Sequence, residues 1–217
     1  MLGSFTLAHL YYLLDGVVWT LVLSLLAFVL GGFAGFFVML ARISEHKYLR
    51  WASLVYVQLL QGIPLLVILF LVYYGLGIFG LELPALVAAG VALMFYVSAF
   101  LGEIWRGCVE SVVKTQWEAA ECLSFSRSQT LFLVIIPQAV RISLPPTVGF
   151  LVQVLKGTSL ASVIGFVELT RAGQVINNSI FQPFLIFVLV GIFYFVLCYP
   201  LSRWSRYMEK KLNVGSR

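Results

Sequence analysis

Few polar residues in this chain stand close enough together to act as a group. Glu118 and Glu121 lie in the segment Thr115 to Arg141, TQWEAAECLSFSRSQTLFLVIIPQAVR, and Glu103 with Arg106 and Glu168 with Arg171 are each spaced i and i+3. Lys156, Thr158 and Ser159 form one further cluster, and Gln61, Gly62 and Pro64 another. Covalent chemistry would need a nucleophile beside a base, and no such arrangement occurs, so no catalytic residue is assigned. No G-x-x-x-x-G-K-[ST] is present, which places any ATP hydrolysis in another chain. His9 and His46 are far apart without ligand-spaced neighbours, so no metal site and no cofactor is expected. The chemistry left to these residues is binding and positioning.

The elements that must position them are apolar. With 217 residues, 61% hydrophobic and 11% charged, the composition lies far from soluble globular averages and reads as an all-α polytopic membrane protein. A helix needs about 20 apolar residues to cross about 30 Å of hydrocarbon. Charge-free runs at 16–41, 51–81, 83–102 and 172–202 meet that length. Residues 131–155 reach it too, although Pro137, Arg141, Pro145 and Pro146 interrupt them. The reading is one transmembrane domain over 1–217, with spans near 16–41, 51–76, 83–105, 131–156 and 182–203 and a loop at 107–130.

Five spans put the termini on opposite sides, and Lys and Arg in short loops decide which side is inside. Arg42, Lys47 and Arg50 follow span one; Arg106, Lys114, Arg127 and Arg141 flank or enter the 107–130 loop; Arg203, Arg206, Lys210, Lys211 and Arg217 form the tail. These are twelve of the fourteen basic residues, and only Lys156 and Arg171 fall in the last external loop. The N-terminus is therefore expected outside and the C-terminus in the cytoplasm. The first apolar run lacks a basic n-region and is too long for a signal peptide. The net charge of +5 follows from topology and gives no reason to expect nucleic acid as a partner. Cys108, Cys122 and Cys198 suggest no disulfide pair.

The 107–130 loop has more order in it than a plain connection. Thr115 to Glu118 reads T-x-x-E and Ser126 to Gln129 reads S-x-x-Q, and each is a capping-box pattern that predicts a helix start. Between them Trp117, Ala120 and Leu123 fall at i, i+3 and i+6, while Glu118 and Glu121 take another face. A helix lying on anionic lipid would carry Lys and Arg on its polar face, and this one carries glutamate. A protein partner fits better, and a short helix packed on its own bundle is the plain alternative.

The other clusters admit two readings each. The break at Gln61, Gly62 and Pro64 lines a pathway or merely shapes packing, since backbone freed by proline is tolerated in a membrane where protein or a cavity satisfies it. Glu103 and Arg106 read as an interfacial ion pair that anchors a helix end. Lys156, Thr158 and Ser159 precede the short apolar run 160–167, either a half-helical piece meeting a zwitterionic solute or a loop folded on the bundle. Glu168 and Arg171 pair with each other or contact an external protein.

Taken in order, Glu118-Ala119-Ala120, then Ile136-Pro137-Gln138-Ala139 and Arg141, resemble the EAA loop of permease subunits of bacterial ABC importers. QGIPLLVILFLVYYGL at 61–76, SAFLGEIWRG at 98–107, LPPTVGFLVQVLKGTSL at 144–160 and GFVELTRAGQ at 165–174 extend the resemblance, toward the branch that carries polar amino acids. It covers about residues 13–210 and implies a type I importer transmembrane domain in the bacterial inner membrane, with no ATPase activity of its own. Implied partners are a cytoplasmic ATPase dimer, a second permease subunit, an extracytoplasmic solute-binding protein and a polar amino acid. The loop would be the coupling helix, with Glu118, Ala119, Ala120, Leu123, Ser124 and Phe125 facing the ATPase or forming the turn after it. Gln61, Pro64, Lys156, Thr158 and Ser159 are the expected substrate path. Ser124 stands where the family has glycine, Gln61 where arginine, Val113 where proline and Gly157 where aspartate is usual.

A stand-alone secondary transporter or small channel is the alternative. It would call for mid-span ionisable residues or an inverted repeat, and neither is evident. A membrane scaffold or sensor would bind a signalling partner through the same loop and move no solute.

Overall fold

The computed structural model describes residues 4–214, and the elements among them are helices. In chain order they are α1 (Leu7–Arg42), α2 (Lys47–Gly62), α3 (Leu65–Ile78), α4 (Ala85–Glu110), α5 (Lys114–Cys122), α6 (Arg127–Ile164), α7 (Leu169–Ile180) and α8 (Pro183–Val214). Arg217, the last residue of the basic tail, lies outside the described residues. Helices α1, α4, α6 and α8 are each long and apolar enough to cross a membrane, and α2 with α3 makes a fifth span when taken as one bent pair. The all-α polytopic architecture follows.

The bend between α2 and α3 is 103°. Ile63 (φ −103, ψ 131) and Pro64 (φ −57, ψ 137) leave the helical region there. Proline disfavours α geometry in the residue before it and has no N–H to continue the ladder, so the break falls where Ile63-Pro64 stands. The prolines of α6 act more gently. Pro137 cannot donate to the carbonyl four residues back, and the turns just before it widen into a π stretch, Thr130–Ile135. Pro145 and Pro146 lie inside the helix, and Ser205 Oγ of α8 donates to the Pro145 carbonyl at 2.8 Å. A hydrogen bond from a neighbouring helix thus ties α8 to α6 at the proline pair.

Small residues bring α1 and α4 together. Cβ atoms built at Gly31 and Gly102 would lie 2.5 Å from Val97 Cβ and 2.7 Å from Val38 Cγ1, so side chains are sterically barred at both positions. Gly31 and Gly35 form a small-xxx-small pair of the kind that lets membrane helices approach at backbone distance. Contacts advance in step, from Gly31 against Val97 to Gly35 against Gly102, so the two helices run parallel. That direction is what alternate spans of one bundle require. Behind this seam the core contains Leu23, Leu69, Ala92, Leu93 and Val154, with Phe100 and Phe150 stacked at 5.3 Å.

At the far end of the seam Glu103 is held twice. Arg106 Nη2 reaches it at 2.6 Å, as the i, i+3 spacing predicts, and Arg42 Nε of α1 reaches it at 3.2 Å. Arg106 also pairs with Glu110. The α1 and α4 ends nearest α5 are thereby fixed to each other.

Candidate coupling site

Helix α5 begins two residues earlier than the T-x-x-E pattern predicts. Val113 (φ −55, ψ 137) occupies the N-cap, which places Thr115 in the first helical turn, and no side-chain cap forms. An N-cap residue must be outside the helix, so Thr115 cannot serve as one. Glu118 instead pairs with Lys114 at 3.3 Å, i and i+4 on the outer face. The second pattern forms as read: Gln129 N–H donates to Ser126 Oγ at 3.4 Å and Ser126 N–H to Gln129 Oε1 at 2.8 Å.

Between these starts the chain turns through Ser124, whose φ is 58°. The Phe125 N–H donates to the Ala120 carbonyl at 3.1 Å and the Ser124 N–H to the Glu121 carbonyl at 2.9 Å. This is the Schellman arrangement that closes a helix through a left-handed residue, a position that glycine fills at least cost. Serine takes it here.

Trp117 turns toward the bundle and packs on a cluster that includes Met39, Val109, Val112, Ile135 and Ala139, and Ala120 is buried. Leu123 does not follow them. The helix ends at Cys122, so the i, i+3, i+6 stripe breaks at the cap and Leu123 is 69% exposed. Of the six residues expected at the coupling surface, Glu118, Ala119, Leu123 and Ser124 are exposed, Phe125 is half-buried and Ala120 is buried. A charged, small-residue face is thus open to water while the opposite face is anchored. The anchoring is reinforced by Gln138 Nε2, which donates to Gln116 Oε1 at 3.3 Å and to the Val134 carbonyl at 2.9 Å.

The five expected path residues are not gathered in one cavity. Gln61 and Pro64 are exposed at the α2–α3 bend. Lys156 belongs to the last α-helical turn before Thr158, within α6 rather than in a loop beyond it, because the helix runs on through the 3-10 stretch Thr158–Ile164. It lines a groove of about 440 Å³ between α6 and α8 with Tyr199, Ser202, Ser205 and Arg206. Thr158 and Ser159 donate their hydroxyls at 2.7 Å to the carbonyls of Leu155 and Lys156. No new helix starts there, so a helix N-terminus aimed at a solute does not form at these residues. The bend and the end of α6 do meet, since a Cβ at Gly157 would lie 3.1 Å from Leu65 Cδ2. A separate hollow of about 250 Å³, mostly apolar, lies between α1, α4 and α6, bordered by Trp105 and Thr147, which share a 2.9 Å hydrogen bond.

The sequence pattern did not foretell the role of Glu168. It is 0% exposed and is the N-cap of α7, accepting the N–H groups of Thr170 and Arg171 at 2.9 Å each and the Tyr194 hydroxyl at 2.7 Å. Arg171 turns away to Gln174 at 3.1 Å, so the i, i+3 pair does not form. Burial pushes the Glu168 carboxyl above its ordinary range, against donors that favour the anion. The signal available in sequence was an acidic residue just before an amphipathic run.

A family model described as "Binding-protein-dependent transport system inner membrane component" matches residues 27–214. The chain belongs to this family. It is therefore a multi-pass inner-membrane permease subunit, and ATP hydrolysis belongs to a separate subunit. Among curated relatives, the "Probable amino-acid ABC transporter permease protein YckA" of Bacillus subtilis is 35% identical over 92% of this chain and 88% of its own length. The "Probable glutamine ABC transporter permease protein GlnP" of the same organism is 36% identical over 96% of this chain and 97% of its own. A crystal structure described as "an amino acid ABC transporter with histidines" superposes with a TM-score of 0.90 at 32% identity, covering 97% of this chain and 100% of that one. Inward-facing MetNI methionine transporter structures share the fold, one with a TM-score of 0.71 at 18% identity over 94% of this chain and 99% of that one.

Proposed function

We propose that this permease subunit carries polar amino acids inward, and that it does so as one of a pair of permeases bound to two ATPase subunits and served by an external solute-binding protein. The observation that carries the coupling reading is the face of α5. Glu118, Ala119 and Leu123 are open to water, while Trp117 packs against the ends of α1, α4 and α6 and Ala120 is buried. A partner gripping that face would move the spans with it. Closure of an ATPase dimer would draw two such helices together and switch access from one side of the membrane to the other. The amino-acid relatives support the substrate class.

The N-terminus is outside and the C-terminus inside in this reading. The distribution of Lys and Arg supports that orientation, as does the clustering of Arg42, Arg106 and Arg127 around the end where α5 lies. Glu118, Ala119 and Leu123 contact the ATPase, and Ser124 and Phe125 set the angle at which α6 leaves the contact. The α2–α3 bend at Gln61 and Pro64, meeting the end of α6 near Thr158, is where the path narrows.

The test is uptake into proteoliposomes holding the chain with its ATPase and binding protein. ATP-dependent accumulation of a polar amino acid, chased by unlabelled polar but not apolar amino acids, is expected. Uptake that proceeds without ATP under an ion gradient would contradict the reading and favour a secondary transporter.

A further inference from the structure

The α5 face and its anchoring leave Arg127 unaccounted for. Arg127 is the first residue of α6, immediately past the Ser126 cap, and the Ser126 and Gln129 exchange already starts the helix without it. Its guanidinium reaches away from its own helix. It pairs with Glu45 and donates through Nη2 to the Ile43 carbonyl at 3.2 Å. Ile43 is the C-cap of α1, where the final carbonyls lack intrahelical partners and the helix dipole is negative, so a cation is doubly suited there. Beneath the pair Leu131 of α6 packs in the same cluster as Leu40 and Ile43. A shallow hollow of about 280 Å³ bounded by these residues, with Ser44 and His46, marks the junction.

The linker so held is short. Only residues 43–46 separate α1 from α2, so fixing Ile43 and Glu45 fixes where α2 begins. The far end of α2 is the 103° break, and just past it Leu65 lies against Gly157 of the same α6. Helix α6 thus touches the linker that leads into α2 at Arg127, beside the turn at Ser124, and the start of α3 at Gly157, beside the bend. Midway, the Tyr56 hydroxyl shares a 2.6 Å hydrogen bond with Ser98 of α4, which joins α2 to the bundle.

We propose that Arg127 is a positioning residue of the transport cycle, a strut that carries displacement of the coupling turn through Glu45 and Ile43 into α2 and on to the Gly62–Pro64 break. This rests on the reading that α5 docks the ATPase. Both partners are largely exposed, and an exposed ion pair adds little to stability, so its presence is poorly explained as a fold-holding device. A strut needs only to bias which of two arrangements α2 adopts when α5 is pulled.

The test uses the complex of this chain with its ATPase and binding protein in liposomes, reading amino acid imported per ATP hydrolysed. Arg127→Glu is expected to lower that ratio about three- to fivefold with the ATPase still bound, and Arg127→Glu combined with Glu45→Arg to recover most of it. Should Arg127→Glu not yield monodisperse protein, Glu45→Lys places the same like charges opposite each other and is expected to lower the ratio similarly. A ratio unchanged in the single variants would overturn the proposal. So would a double variant as low as Arg127→Glu alone, which would mean that Arg127 acts on the ATPase directly. Failure of the unaltered chain to bind an ATPase would instead sink the reading of α5.

Discussion

Gln138 of α6 donates to Gln116 of α5 at 3.3 Å, and this side-chain bond joins the helix that faces water to the span that enters the membrane. The same amide donates to the Val134 carbonyl at 2.9 Å, inside the π stretch where the ladder is already loosened before Pro137. One side chain therefore serves both the entry of the span and the attachment of α5. Gln138→Leu should leave both groups short of a donor. At about 0.5–1.5 kcal/mol for such a bond, amide exchange across residues 114–122 should speed up by about two- to tenfold. Unchanged exchange would show that packing of Trp117 and Ala120 alone fixes α5.

Ser124 holds a φ of 58° with its side chain exposed, so the residue meets a backbone cost without any packing in return. Ser124→Gly should stabilise the turn by about 0.5–1 kcal/mol, and Ser124→Val should destabilise it by more, because a β-branched side chain clashes in the left-handed region. Protection of the Phe125 amide, which closes the turn onto the Ala120 carbonyl at 3.1 Å, reports this directly.

Glu168 gives a pH dependence of definite sign. Its carboxyl in the fold is raised above the ordinary value by burial, so the folded protein binds the proton more tightly than the unfolded chain does. The contribution is fully present below the unfolded value and is lost as pH rises through the folded one. Thermal stability measured across that acidic range should therefore fall with rising pH from this group, and Glu168→Gln should flatten the slope. A slope of the same size in Glu168→Gln would assign it to other groups.

The seam between α1 and α4 separates two glycines of the same helix. A Cβ at Gly102 would lie 2.7 Å from Val38 Cγ1 and 3.1 Å from the Gly35 carbonyl, whereas nothing lies within 4 Å of one at Gly107. Gly102→Ala should cost about 1–3 kcal/mol through forced separation of the helices. Gly107→Ala should be neutral or stabilise by up to about 1 kcal/mol through helix propensity. Thermal denaturation of the two variants in detergent distinguishes them, and equal losses would contradict the parallel seam.

Much of the fold was legible because membrane spans announce themselves by length and lack of charge. The Pro64 break and the Ser126 cap were also readable, each from a local backbone rule, while the turn at Ser124 was suggested only by the glycine that the resembling family has at that position. What escaped depended on neighbours. A T-x-x-E pattern marks a start only if the threonine lies outside the helix, and Val113 took that place. Asp15 ended a charge-free count that the helix itself ignores, since α1 runs from Leu7. Glu168 looked like half of an ion pair because spacing alone cannot show that Tyr194, from a distant helix, and two backbone amides already surround it. The Arg127 contact with Glu45 joins residues far apart in sequence, and no periodicity carries that information.

The most direct measurement is made on Glu118→Lys in the reconstituted complex, because Glu118 is exposed on the face of α5 and, among the described residues, its ion pair is with Lys114. The variant is expected to insert and fold as before, to lose most of its association with the ATPase and to import little amino acid per ATP. Wild-type ATPase binding and wild-type uptake by Glu118→Lys would contradict it.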